Sequence, residues 1–253
     1  DIFLGVNNQD VIVRFATFPK VPDDKIRSMI HFQAQDYIPV ALEELELDYV
    51  VVSDKKTDEG EFINVVLVAA RKKMLNDFID AMKEARATIK EIDSTMLAIG
   101  RAALISSNIG TFALIGFNHD IGNILIFKNG ILAMARTVVI NQSPAWLAYQ
   151  EESNKSAERE SNVFAEILFG EIKSSVSYYK MQSGDVIDKL YIMGCNSKQD
   201  LICSRLAELT GLSVIVPSPY TFLEKNLPKN KTGSFNTSDY MASISLALRG
   251  LEE

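Results

Sequence analysis

At 253 residues, with a formal charge of −7 and a pI near 5.0, the chain is long enough to bury a full core and lacks the basic face that nucleic-acid binding requires. Hydrophobic residues make up 47% and charged ones 23%, an ordinary globular balance. Two cysteines, Cys195 and Cys203, are too few for a disulfide framework and fit a reducing cytosol; the two histidines, His31 and His119, show no metal-binding spacing.

No apolar run approaches the roughly 18 residues of a membrane span; residues 63–70 are typical of the longest. In chain order, residues 2–18 read as one or two strands, with Val11, Val13 and Phe15 alternating against Ile12 and Arg14. Pro19 and Pro22 end them. Asp23 and Asp24 then open a helix, where its dipole favours negative charge, and Ile26, Ile30, Ala34 and Tyr37 follow at helical spacing. Pro39 closes it, because a residue before proline, here Ile38, is pushed out of helical space. Strands over 45–53 and 62–70 are joined by the polar link 54–61, and a helix over 72–86 carries Leu75, Phe78, Ile79 and Met82 on one stripe. Together these make a small α+β unit.

A strand over 89–92 leads to a helix over 94–106, capped by Asp93 or Ser94. Next comes "ALIGFNHDIGNILIFKNG", residues 113–130: two apolar strands around a short polar turn, closed by Asn129-Gly130, a dipeptide suited to a tight hairpin turn. A further strand covers 131–140. Residues 150–162 hold no large apolar side chain and read as a solvated helix end or a loop. An amphipathic helix over 164–180 aligns Ile167, Leu168, Ile172, Val176 and Tyr179. The strand 190–193 stops at Gly194, the helix 197–209 runs to Gly211, and a strand 214–216, a polar loop 227–238 and a helix 240–250 complete the chain.

Chemistry is sparse. The turn at His119, Asp120 and Gly122 is able to cradle phosphate through backbone N–H groups, but D-x-G is also ordinary turn chemistry. The junction at Gly194 is a place for an anion or a base beside the backbone, or a plain strand-to-helix turn. Glu171 either accepts a ribose hydroxyl or faces solvent. Cys195 and Cys203 read as small buried hydrophobes. There is no catalytic triad pattern and no phosphate-binding G-x-x-x-x-G-K-[ST] loop.

Several stretches together resemble the PilM family, actin-like cytoplasmic proteins of type IV pilus assembly. These are "VIVRFATFPKVPDDKIRSMIHFQAQDYIPVALEELELDYVVV" (11–52), "INVVLVAARKKMLNDFIDAMKEA" (63–85), "EIDSTMLAIGRAAL" (91–104), "EIKSSVSYYK" (171–180) and "SLALRG" (245–250), collinear over nearly the whole chain. The resemblance implies an α/β, actin-like fold of RNase H-like lobes with an inserted small α+β subdomain. Residues 1–13 and 91–110 would belong to the first lobe, 14–90 to the insert and 111–253 to a reduced second lobe. It implies a scaffold that binds the cytoplasmic tail of a PilN-type membrane protein, linking the inner-membrane platform to the pilus motor ATPases. It would stay cytoplasmic, peripheral to the inner membrane through its partners, with self-association a further option. The tail is expected near Tyr37, Ile38, Pro39 and Leu42.

The departures from the family bear on the nucleotide. Family members begin with an upstream hairpin that supplies a first phosphate loop and a metal-linked aspartate, whereas this chain opens at Asp1. ATP and magnesium are therefore expected only if upstream residues complete the cleft. In the second loop, aligned through Asn123, Gly116 stands for the family's aspartate and Asn118 for its glycine. The adenosine loop, usually a run of glycines, reads Gly194-Cys195-Asn196-Ser197. Gly116, Asn118, His119, Asp120, Gly122, Glu171, Gly194, Asn196 and Ser197 thus mark a degenerate nucleotide site, with no cofactor and no hydrolysis expected. The competing expectations are an ATP-hydrolysing protein of the same machinery and an FtsA-like division filament. The latter ranks lower because that family's membrane-targeting helix is not found before Glu253.

Overall fold

The computed structural model describes residues 2–106, 110–118, 121–140, 154–194, 199–216 and 240–250. His119, Asp120, Cys195, Asn196, Ser197 and the loop expected over 227–238 lie outside them. The chain divides into two compact units, Asp1–Ser94 and Thr95–Glu253.

The first unit holds two sheets. β1 (Ile2–Val6) pairs in parallel with β5 (Ile89–Ser94). Between them, β2 (Val11–Pro19), β4 (Gly60–Arg71) and β3 (Leu45–Thr57) form an antiparallel sheet in the order β2-β4-β3. Alternation decides its buried face: Ala16 and Phe18 of β2, Leu45 and Leu47 of β3, and Ile63, Val65, Leu67 and Ala69 of β4 pack with Ile30, Ala34 and Ile38. Ile30 lies on α1 (Asp23–Gln33), whose first turn carries Asp23 and Asp24 as expected. α1 stops short of the expected end at Pro39. A 3₁₀ turn over Ala34–Asp36 follows, and the N–H groups of Tyr37 and Ile38 both reach the Ala34 carbonyl.

The β3–β4 hairpin is longer than its sequence suggests. The polar stretch 54–61 is strand apart from the two turn residues Asp58 and Glu59, and its charges pair across strands and edges: Lys56 with Glu61 and Lys20 with Asp54. α2 (Lys72–Glu84) follows and ends at Arg86, which adopts the left-handed conformation at φ 55°.

The second unit is one five-stranded sheet in the order β10-β9-β6-β7-β8. β6 (Thr111–Asn118), β7 (Ile121–Lys128) and β8 (Ile131–Val139) form an antiparallel meander. Its second turn, Asn129-Gly130, takes positive φ at both residues, 51° and 81°. β9 (Lys189–Met193) joins β6 in parallel, and β10 (Ser213–Ile215) joins β9. This meander followed by two parallel strands is the strand order of an RNase H-like lobe.

On one face, Ala113, Ile115, Phe117, Ile124, Ile126 and Val138 pack against α4 (Asn154–Ser183) and α5 (Gln199–Thr210), through Phe164, Leu168, Ile172, Ile202 and Leu206. α4 begins well before the expected Phe164, taking in most of the stretch read as a solvated end or loop. The opposite face meets α3 (Thr95–Ser106): a Cβ at Gly100 would lie 2.9 Å from Leu125 Cδ2, so glycine there allows close packing. Ser94, one of the two caps expected for α3, closes β5 and is buried with its hydroxyl unpartnered, so it does not serve as that cap. α6 (Met241–Arg249) packs along α3.

Candidate functional site

Of the residues expected at a nucleotide site, those described are gathered in part. Gly116 and Asn118 lie on β6 and Gly122 on β7, in register with Asn123, Ile121 and Phe117 respectively. Residues 118 and 121 face each other as the last pair of the hairpin, so Ile121 and Gly122 belong to the strand rather than to the turn. Gly194 follows β9, whose Met193 is opposite Gly116. These residues therefore meet at one end of the sheet.

Two of the three glycines there have a packing reason. A Cβ at Gly122 would approach Val138 Cγ2 at 2.9 Å and Ile140 Cδ1 at 3.0 Å. One at Gly194 would collide with the Phe117 carbonyl, and its φ of 102° is in the range that favours glycine. A Cβ at Gly116 would point toward Ile99 Cγ2, 3.5 Å away, on α3. The nearest side chain in that direction is thus a branched aliphatic one.

Glu171 lies on α4, facing the other side of the sheet from Gly116. Its Oε2 is 2.9 Å from an Arg136 nitrogen, in ionic contact but without hydrogen-bond alignment. Arg136, from β8, also donates a long bond to Ser175 Oγ at 3.5 Å, and Ser175 donates back to the Glu171 carbonyl at 2.9 Å. Arg136 was not anticipated as a partner; its only signal is a lone cation in an apolar strand. Asn123 is a second such case, buried on β7 with its Oδ1 accepting from Thr137 at 3.2 Å.

At the opposite end of the meander, Lys128 donates to Asp185 at 2.7 Å and Tyr179 donates to the same carboxylate at 3.1 Å. The Lys128 bond holds the Asp185 carboxyl below its ordinary range, and Asp185 in turn raises Lys128. This cluster fastens the loop after α4 to the sheet. Burial pushes the Cys203 thiol up to about 11, so it stays a neutral, weakly reactive thiol at pH 7. Among the described residues, no three His, Cys, Asp or Glu side chains converge as metal ligands.

The residues proposed for a partner lie on the turn after α1. The Tyr37 ring meets Phe18 edge-on at 5.3 Å, and its hydroxyl donates to the Thr17 carbonyl at 3.2 Å. Gln35 Nε2 donates to the Ile38 and Val40 carbonyls, which fixes the turn. Ile38 is 1% exposed and part of the core, Pro39 is exposed, and Tyr37 and Leu42 are half-buried. The turn is thus rigidly held, with Tyr37, Pro39 and Leu42 keeping surface.

Comparison with known proteins adds the following. The family described as type IV pilus assembly protein PilM matches residues 1–139. Among solved structures, a PilM-PilN type IV pilus biogenesis complex is similar at TM-score 0.79 and 18% identity, over 98% of this chain and 78% of that one. The cytoplasmic domain of EpsL, an inner-membrane component of the Vibrio cholerae type II secretion system, is similar at TM-score 0.43 and 11% identity, over 96% and 71%. A Bacteroides thetaiotaomicron protein with an actin-like ATPase fold follows at TM-score 0.40 and 12% identity, over 93% and 70%. The last two are too distant to argue from. No curated protein matches the chain by sequence.

Proposed function

The chain belongs to the family of type IV pilus assembly protein PilM, with its α/β actin-like fold, and we propose that it is a non-catalytic scaffold of that machinery. It binds the cytoplasmic tail of a PilN-type membrane protein and so links the inner-membrane platform to the pilus motor ATPases. It stays in the cytoplasm and reaches the membrane through that partner. The observation that carries this reading is the extent of the structural match: 98% of the chain follows a protein solved in a PilM-PilN complex, at TM-score 0.79. No helix among the described residues is long and apolar enough to cross a membrane. In the same reading residues 1–13 and 91–110 belong to the first actin-like lobe, 14–90 to the inserted subdomain and 111–253 to the second lobe. The surface left by Tyr37, Pro39 and Leu42 is part of the tail site.

The nucleotide site, in this proposal, is degenerate. Three features support that. Gly116 offers no carboxylate where the family keeps one, and a Cβ there would stand in ordinary contact with the aliphatic Ile99. The backbone at Gly194 is pressed on the Phe117 carbonyl instead of standing open to a base. Glu171 has its carboxylate engaged by Arg136 rather than free for a ribose. Phosphoryl transfer depends almost wholly on positioned charge, which these residues do not supply.

Paired calorimetric titrations test both halves. A PilN tail peptide is expected to bind at about micromolar strength or better, and magnesium-ATP to give no heat. Absence of tail binding removes the scaffold reading; ATP binding with turnover makes the protein an ATPase of the same machinery.

A further inference from the structure

β3 is an edge strand: it pairs with β4 on one side and with no strand on the other among the described residues. It is 13 residues long, and at its middle Val50 and Val51 are 57% and 40% exposed. A long edge with exposed valines is a template for another strand. The charges along it say which strand.

Glu46 and Lys55 flank the valines. Among the described residues neither side chain has an ionic or hydrogen-bonded partner, whereas nearby Lys20, Lys56 and Arg71 are all paired. Glu46 and Lys55 are an odd number of residues apart, so a regular strand would put them on opposite faces. The register shift between Val51 and Ser53 changes this. Glu46 stands opposite Ala70 and Lys55 opposite Phe62, and those two β4 residues, an even number apart, share a face. The bulge therefore brings one acid and one base to the same face, on either side of an apolar centre.

We propose that this edge pairs with the same edge of a second copy of the chain. The two β3 strands would run antiparallel about a two-fold axis at Val50, which stands opposite Val66 midway between Ala70 and Phe62, in one six-stranded sheet. Each Glu46 then faces Lys55 of the second copy, twice by symmetry, and each Asp48 faces Ser53. A slip of one residue would turn the faces over, and a slip of two sets Glu46 opposite Ser53 or, in the other direction, opposite Thr57 with Asp48 opposite Lys55, so of the registers that keep the faces matched only the proposed one gives Glu46 a basic partner. Charges and bulges also serve to keep edges apart; here their arrangement is self-complementary. β8, the longer of the two edge strands described in the other unit, has no such pattern: its one charged residue, Arg136, is already held by Glu171.

This inference does not depend on the tail-binding proposal. Sedimentation velocity of the full chain, over a concentration series reaching the millimolar range, tests it. A reversible dimer is expected. The single reversals Lys55→Glu and Glu46→Lys should each weaken it about tenfold or more, since each turns two attractive pairs into repulsive ones. The double reversal, E46K with K55E, restores the attraction and should restore the dimer. Both sites are exposed, and circular dichroism checks that the variants fold; Val50→Lys, at the two-fold axis, should give the same loss. A parent that stays monomeric throughout overturns the proposal, as it would if a tail peptide were the strand that covers this edge. So does a dimer indifferent to the single reversals, or one that the double reversal does not restore.

Discussion

Two parallel strand pairs, one in each unit, are built from similar residues and end in different surroundings. β1 is Ile2-Phe3-Leu4-Gly5-Val6 and pairs with β5; β9 is Lys189-Leu190-Tyr191-Ile192-Met193 and pairs with β10. β9 also lies against β6, with α4 and α5 packed over the sheet, and Leu190 to Met193 are all buried. β1 has β5 as its sole strand partner among the described residues, and within it only Val6 is buried. Burial here is a property of the neighbours rather than of the strand. A three-stranded meander beside a parallel pair turns it into the centre of a core; a two-stranded sheet is marginal by itself.

The contrast predicts how each strand tolerates damage, from the largest effect down. Gly194→Ala, at the end of β9, must both clear the Phe117 carbonyl and hold a φ of 102°. It should cost about 4 kcal/mol or prevent folding, as read from urea denaturation. A loss under about 1 kcal/mol would mean that β6 and β9 yield there, and that the strand end is less fixed than its packing implies. Leu190→Ala against Leu4→Ala measures the comparison directly. The first empties a site that is fully buried and should cost about 3 kcal/mol; the second, at a half-buried site, about 1 kcal/mol. Equal losses would show that β1 is as well covered as β9.

Gly116→Asp comes next. It supplies the acid that the proposed nucleotide reading expects at this position, beside Ile99 in a buried strand. Burying a carboxylate there should cost about 2 kcal/mol and yield no magnesium-ATP binding by calorimetry. Gain of nucleotide binding would mean that the site lacks one group only, and would return weight to the ATPase reading.

Much of this architecture is legible in the sequence, because local rules and tertiary demand agree. The α4 stripe of Leu168, Ile172 and Tyr179 is buried as its spacing requires, and Asn129-Gly130 makes the tight turn that its conformational freedom suits. What escapes is set by contacts distant in the chain. Asp54, Lys55, Lys56 and Glu61 look like loop because charge is read locally as solvent exposure, yet they are strand whose charges are exposed on a sheet. Ser94 has the chemistry of a cap, but β5 carries it into a buried position where its hydroxyl makes no bond. Gly194 reads either as room for a ligand or as a plain turn, and what the sequence does not show is that its Cβ direction is occupied by a carbonyl from a strand far upstream. A glycine tells that something comes close, not what.

Glu171 is the residue on which the two readings of the site differ while stability barely changes. Its partner Arg136 comes from another element, and both side chains are partly exposed, so the ion pair is worth under about 1 kcal/mol. Glu171→Gln should therefore leave the unfolding midpoint nearly unchanged, and tail-peptide affinity with it. If Glu171 held a ribose, the same substitution would remove a charge-assisted hydrogen bond, which contributes about 1.5–3 kcal/mol, and nucleotide affinity would fall by an order of magnitude or more. The substitution thus separates a carboxylate whose work is to hold α4 against β8 from one that reads a sugar. A scaffold should be indifferent to it in every binding assay.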